Sequence, residues 1–258
     1  MTMTLATSRP HFAAPYETET VVVGAPDQIP IESNTVGLAI FRVDQPRPRT
    51  PNPANEITSV ITEATRILEP GGRLAVVTPP SVRRSPWVSL AATVAEAMEQ
   101  AGVTMLSETV WIKHPVPSQT LIQPNVRTFF SPHSPPVDVV SERILVAAKQ
   151  SPARVPDPVT RRRQGLPYET DIDEVSWQRD TLDVWFAPSD DLSCEVPADV
   201  YARIITLHTY RQDLVVDMKC QTGIALHTAL HLDRHALGVD NDHANVTQAR
   251  DRIAALTP

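Results

Sequence analysis

The sequence predicts an α/β fold, a mostly parallel β-sheet with helices on both faces, and three observations lead there. Short runs rich in Val, Ile and Leu alternate with segments of helical spacing, the order that buries a parallel sheet between helices. Those runs are apolar at nearly every position, as strands covered on both faces must be. Hydrophobic residues make up 41% and charged residues 21% of 258, enough for a large core, while no run approaches the ~20 apolar residues that cross a bilayer.

The elements follow in order. Residues 1–18 are polar and without period, and read as a mobile arm ahead of a single domain over 19–258. Val21-Val22-Val23, ended by Gly24, and Val36 to Phe41 are the first strands. Ile57, Val60, Ile61, Ala64, Ile67 and Leu68 recur at i, i+3, i+4 and i+7, a helix with one buried face. Pro70-Gly71-Gly72 is its expected stop, with a strand over 74–77 after it. A helix over about 86–101 closes at Gly102, where a left-handed residue ends the last turn.

Val110-Trp111-Ile112 and Ile144 to Ala147 are strands flanking a proline-rich stretch. Residues 151–180 show no period and read as an inserted loop or small subdomain, so the segment from about 115 to 185 is variable. The 25 prolines against 8 glycines fit long irregular connections. From Pro197 the order returns: a helix to about His208, a strand over 214–216, a helix from about Gly223, a strand over 236–239 and a closing helix to about Leu256.

Charge and cysteine usage narrow the function. A net charge of −7 excludes a wholly basic nucleic-acid coat but allows a local basic patch. Two cysteines, Cys194 and Cys220, make no disulfide framework, and the first residues lack the basic-then-apolar order of a secretion signal, so the cytoplasm is the expected setting.

In an open α/β sheet ligands bind at the carboxyl ends of the strands. Asp217 and Asp240 stand at two such ends. An acidic residue at the second can accept hydrogen bonds from the ribose of a nucleoside cofactor, or simply cap the next helix. Arg161-Arg162-Arg163, with Arg83 and Arg84, are either phosphate contacts or a solvated loop. His227, His231 and His235 have the i, i+4, i+8 spacing of helix-borne zinc ligands, but the last lies past the expected helix end and no metal is assigned. Trp177 and Trp185 either stack on a base or, the simpler reading, pack within strands; Cys220 reads as a small apolar filler.

The ordered series of segments resembles the amino-methylating DNA methyltransferases, which modify N4 of cytosine or N6 of adenine, in the permuted class whose catalytic half precedes the cofactor half. Ala64 to Leu74 resembles the family's R-V-L-K-P-G-G segment, Thr109 to Lys113 its strand ending in Trp-x-Lys, and Glu142 to Lys149 the strand after it. Asp213 to Gly223 is similar to the cofactor turn D-x-V-L-D-P-F-x-G-x-G, and Gly238-Val239-Asp240 to the following strand.

The resemblance implies a Rossmann-like methyltransferase fold, S-adenosylmethionine as cofactor held by Gly24, Asp217, Gly223 and Asp240, and DNA as partner met by Arg161, Arg162 and Arg163. A second copy or a protein partner is a further expectation. The family's (D/N/S)-P-P-Y tetrapeptide, which holds the amine of a flipped base, aligns with Arg42-Val43-Asp44-Gln45. Arginine has no acceptor and no stacking ring follows, although a shifted Asp44 offers a carboxylate. Gln221 replaces the first cofactor-loop glycine, and Lys219 an aromatic. The partial matches Thr78-Pro79-Pro80-Ser81 and Ser134-Pro135-Pro136-Val137 lie elsewhere in the order of elements and read as loop proline. Two functions therefore stand open: a divergent DNA methyltransferase, and an inactive relative serving as a DNA-binding or protein-interaction module.

Overall fold

Eight strands form one sheet in the computed structural model, which describes residues 21–44, 53–79, 89–113, 140–187 and 195–256. In chain order the elements are β1 (Val21–Val23), β2 (Val36–Arg42), α1 (Ala54–Ile67), β3 (Leu68–Thr78), α2 (Leu90–Gln100), β4 (Val103–Ile112), β5 (Ser141–Lys149), α3 (Pro158–Arg163), α4 (Glu174–Asp180), β6 (Val184–Phe186), α5 (Ala198–His208), β7 (Leu214–Asp217), α6 (Ile224–His231), β8 (His235–Asp240) and α7 (His243–Ala254). The sheet order is β1-β8-β7-β2-β3-β5-β4-β6, and every neighbouring pair is parallel except the two made by β5. This is the mostly parallel, doubly covered sheet that the strand–helix alternation predicts.

Side-chain alternation along β2 explains the two layers. Ala39 and Phe41 face a core with α1 and α2, whereas Leu38 and Ile40 face one with α5 and α6. Both sides of the strand are thus buried, and its apolar run needs no polar face. A third cluster, around Val21, Cys220, Leu226 and Val246, seats α7 beside the β1–β8 edge.

Two expectations need correction, those on Pro70-Gly71-Gly72 and on Trp177, and the reading of 151–180 gains detail. Pro70-Gly71-Gly72 does not end a helix ahead of a separate strand: β3 begins at Leu68, directly after α1, and carries these residues as a bulge against β2. The glycine at 71 has φ +75°, and a Cβ there would stand 2.3 Å from the Ala153 carbonyl oxygen, so the position serves the passage of residues 151–155 over it. The stretch 151–180 is ordered and carries α3 and α4. Asp157 caps α3, accepting from the Val159 and Thr160 amides, with Pro158 at the first helical position; Asp173 caps α4 through Ser176. Trp177 does not pack in a strand but lies on α4, 49% exposed, whereas Trp185 of β6 is buried and donates to the Asp180 carbonyl. The 1–18 arm, Gln45, Pro80-Ser81, Arg83-Arg84, residues 134–137 and Cys194 lie outside the described residues.

No helix among the described residues is long and apolar enough to cross a membrane.

Candidate active site

The register of the sheet brings the early and late halves of the chain together. Ile40 of β2 pairs with Asp217 of β7, and the Met218 amide donates to the Ile40 carbonyl at 2.8 Å. Val23 pairs with Asp240 and Asp217 with Gly238, so Gly24, Asp240, Asp217 and Arg42 all stand at one edge, the carboxyl ends of four adjacent parallel strands.

On the cofactor side, Asp240 is 2% exposed. Its Oδ2 accepts from the Gln221 amide at 2.9 Å; its Oδ1 accepts from the Asp242 amide at 2.9 Å and from Asn245 Nδ2 at 3.2 Å. The carboxylate thereby pins the β7–α6 loop to the end of β8. It does not cap α7, which is capped by Asp242. Asp217 accepts from the Lys219 amide at 3.1 Å. Burial pushes its carboxyl up to about 7; the Lys219 hydrogen bond acts against that shift and the Asp240 charge adds to it.

Gln221 has φ +46°, so the loop keeps a left-handed backbone at the position where the resembled turn has glycine. Gly223 caps α6 at φ +79°, and a Cβ there would lie 2.8 Å from the Ala249 Cβ: the glycine lets α6 and α7 approach. Cys220 is buried against Gly238 and Leu226, and burial raises its thiol pKa far out of the nucleophilic range.

On the target side the Arg42 side chain turns inward, 4% exposed, instead of facing a substrate. Its Nε and Nη2 donate to the two carboxylate oxygens of Glu142 at 3.2 and 2.6 Å. Glu142, 1% exposed, also forms an ion pair with Lys113, whose ammonium lies 5.3 Å from the Trp111 ring centroid. Glu142 reaches this edge because β5 runs antiparallel, so its first residues sit beside the last ones of β3 and β4. Close by, Tyr201 of α5 is held protonated well above its usual range, chiefly by burial and then by the Asp217 charge, while Arg42 acts the other way.

Val43 continues the pairing of β2 with β3, donating to the Val77 carbonyl, and is buried. Asp44 is exposed and accepts from Lys219 Nζ at 2.6 Å; the same ammonium donates to Glu56 of α1 at 2.9 Å. Burial opposes the Lys219 charge, but these two bonds outweigh it and raise its pKa. Lys219 thus ties the β7–α6 loop to the loop after β2 across a small cavity of about 30 Å³ lined by Phe41, Arg42, Asp44 and Ile57.

The arginine run is not at this edge. Arg161 is 1% exposed, its Nη2 donating to Asp213 at 3.0 Å and its Nε to the Pro167 carbonyl at 2.6 Å. Asp213 precedes β7, about 13 Å from Asp217 at ~3.3 Å per strand residue. Arg161 is therefore a buried strut under the amino ends of the strands and no phosphate contact, while Arg162 and Arg163 are exposed on that same far side. His227 and His231 stack their rings 6.5 Å apart on α6, and His235 stands apart as the first residue of β8.

The family model for DNA methylases matches residues 53–251, most of the chain. The chain belongs to this DNA methylase family. No curated protein matches its sequence. Among solved structures it is similar to a proposed DNA modification methylase of Thermus thermophilus, with TM-score 0.72 and 21% identity over 92% of this chain and 95% of that one. The same protein solved with S-adenosyl-L-methionine gives TM-score 0.72 at 22% identity, covering 92% and 94%. The PvuII cytosine-N4-specific DNA methyltransferase gives TM-score 0.65 at 12% identity, covering 90% of this chain and 85% of that one. At these identities the likeness establishes the fold: this DNA methylase-family chain has the architecture of the DNA modification methyltransferases.

Glu142 and Lys113 are the site residues that sequence reasoning missed in their role. Both stand in segments that resemble the family, but only the reversal of β5 shows that they meet Arg42.

Proposed function

We propose that this DNA methylase-family protein binds S-adenosylmethionine and associates with DNA, but does not transfer the methyl group to a base amine by the family's chemistry. The observation that carries the reading is Arg42. The exocyclic amine of a base has its lone pair delocalised into the ring, and it becomes nucleophilic when acceptors draw it towards tetrahedral geometry. Arg42 offers donors only, and Glu142 already occupies two of them. Asp44, the substitute acceptor, spends one oxygen on the Lys219 ammonium, whose charge weakens the other as an acceptor.

The residues present fit the cofactor. A carboxylate has about four lone-pair sites, and Asp240 uses three on the protein, leaving one for a ribose hydroxyl. Gln221 keeps the left-handed turn that brings the loop backbone to that carboxylate. Asp217 and Asp240 hold the loop from two sides, and Gly24 continues the strand edge, its N–H donating a hydrogen bond to the Asp240 carbonyl. When bound, S-adenosylmethionine supplies an electrophilic methyl group; the chain's own residues bind and orient it without a matched acceptor site beside it. Support for this ligand also comes from the Thermus structure solved with it.

Isothermal calorimetry with S-adenosylmethionine, followed by transfer of labelled methyl to mixed-sequence DNA, tests the proposal. Binding heat with incorporation no higher than a protein-free control is expected. Incorporation above that control, abolished by Asp44→Ala, overturns the non-catalytic reading. An absence of heat at millimolar ligand overturns the cofactor reading.

A further inference from the structure

A second concavity lies at the opposite edge of the sheet, where residues 162–171 pass Arg211 and Gln212 ahead of β7. Its volume of about 660 Å³ falls within the ~300–1,000 Å³ of small-molecule and cofactor sites. Nothing in the chemistry above uses it. Arg162, Arg211 and Tyr168 line it, with the Arg162 guanidinium 5.7 Å from the Tyr168 ring centroid.

The charges facing this groove are unequal. Asp171 has both oxygens bonded to Arg234, one of them at 3.0 Å, and its Oδ2 is 3.8 Å from Arg211. Glu169 is the remaining carboxylate of the lining. Against it stand Arg162 and Arg211, the latter with its side chain 57% exposed, and the exposed Arg163 at the same end of α3. The platform is rigid from below: Arg161 stacks at 4.2 Å on the Tyr210 ring and binds Asp213, which fixes α3 to the start of β7. An aromatic face among guanidinium groups suits a stacked base with its flanking phosphates, and the arginine forks match phosphate oxygens.

We propose that this groove is a second nucleic-acid contact, taking a single-stranded DNA segment with a base on Tyr168 and phosphates on Arg162 and Arg211. It extends the DNA association proposed above to a face remote from Asp217 and Asp240, and it does not depend on methyl transfer.

The test is fluorescence anisotropy of the full chain with a labelled oligothymidine and a labelled duplex, at about 50 and about 200 mM salt. The Arg162→Ala/Arg211→Ala double variant is expected to lose at least about tenfold in oligothymidine affinity. Its salt slope should fall by about 1.4, at ~0.7 per single-strand phosphate contact. Tyr168→Leu is expected to lose about 5-fold or more with the slope unchanged, the signature of a lost stack. Both variants should keep the parent's thermal midpoint, which a merely structural role would lower. Variants that bind like the parent, or a parent that binds duplex but no single strand, overturn the groove and leave the DNA reading standing. A parent that binds neither overturns both.

Discussion

Removing Glu142 alone should cost far more than removing it together with Arg42. The carboxylate is 1% exposed and takes two hydrogen bonds from a guanidinium that is itself 4% exposed. Glu142→Gln removes a buried carboxylate that pairs with both Arg42 and Lys113, a change that costs about 3–5 kcal/mol. For a domain of this size ~1 kcal/mol moves the thermal midpoint by about 2–4 °C, so the single variant should melt some 6–20 °C lower. The double variant Arg42→Met/Glu142→Met removes both buried charges and fills similar volume. Lys113, whose side chain keeps 19% of its surface in solvent, can then turn outward. Replacing a whole buried pair by apolar residues is near neutral or stabilising, so the double variant should lie within about 1 kcal/mol of the parent or above it. Thermal and urea unfolding of parent, both singles and the double give the coupling energy directly. If Glu142→Gln melts with the parent, or the double is as unstable as the single, then Arg42 and Glu142 are not an interdependent buried pair. The account of the target side fails with them.

Other outcomes follow from the same edge of the sheet. Gln221→Gly relieves a left-handed non-glycine backbone, and urea unfolding should show a gain of about 1 kcal/mol. Gly223→Ala meets both φ +79° and an Ala249 Cβ 2.8 Å away, so the same assay should show a loss of about 2–4 kcal/mol. Two groups tilt stability with pH in opposite directions: Asp217, raised to about 7, favours the folded state at low pH and loses that contribution as pH rises from about 4 to 7, whereas the half-buried His208, lowered to about 4 chiefly by desolvation and then by Arg73 and Arg154, loses stability as pH falls below about 6.5. Asp217→Asn should therefore turn the slope of stability between pH 4 and 6.5 more positive, read as denaturation midpoints across that range; an unchanged slope means that Asp217 ionises normally in the fold.

Much of this architecture was legible because burial on both faces leaves a plain record. The apolar run Val36 to Phe41, the helical spacing from Ile57 to Ile67, and the capping glycines at 102 and 223 each state a local structure that tertiary contacts then reinforce. β4 was legible only at its end. Residues 104–108 are exposed, with little alternation to read, whereas Trp111 is buried. α3 and α4 lack a long apolar face, but Asp157-Pro158 and Asp173 with Ser176 are cap signals that composition alone hid. Arg161 was misplaced because a run of three arginines looks uniform in sequence. Only the fold shows that one of them meets Asp213 in the interior.

Glu142 was out of reach for a different reason, and that reason bears on the proposed absence of methyl transfer. In a wholly parallel sheet the first residues of every strand lie at the amino edge, so Glu142 would fall about a strand's length from Arg42. The antiparallel β5 brings an amino-terminal carboxylate to the carboxyl edge, beside the last residues of β3 and β4. A guanidinium at position 42 then meets a buried carboxylate, which offsets the cost of an interior charge. Arginine at position 42, a side chain with no acceptor to offer, is thus held by the same topology that defines the fold. Placing an acceptor there with Arg42→Asp would set its carboxylate against that of Glu142, so a test for methyl transfer with an acceptor at position 42 changes residues 42 and 142 together.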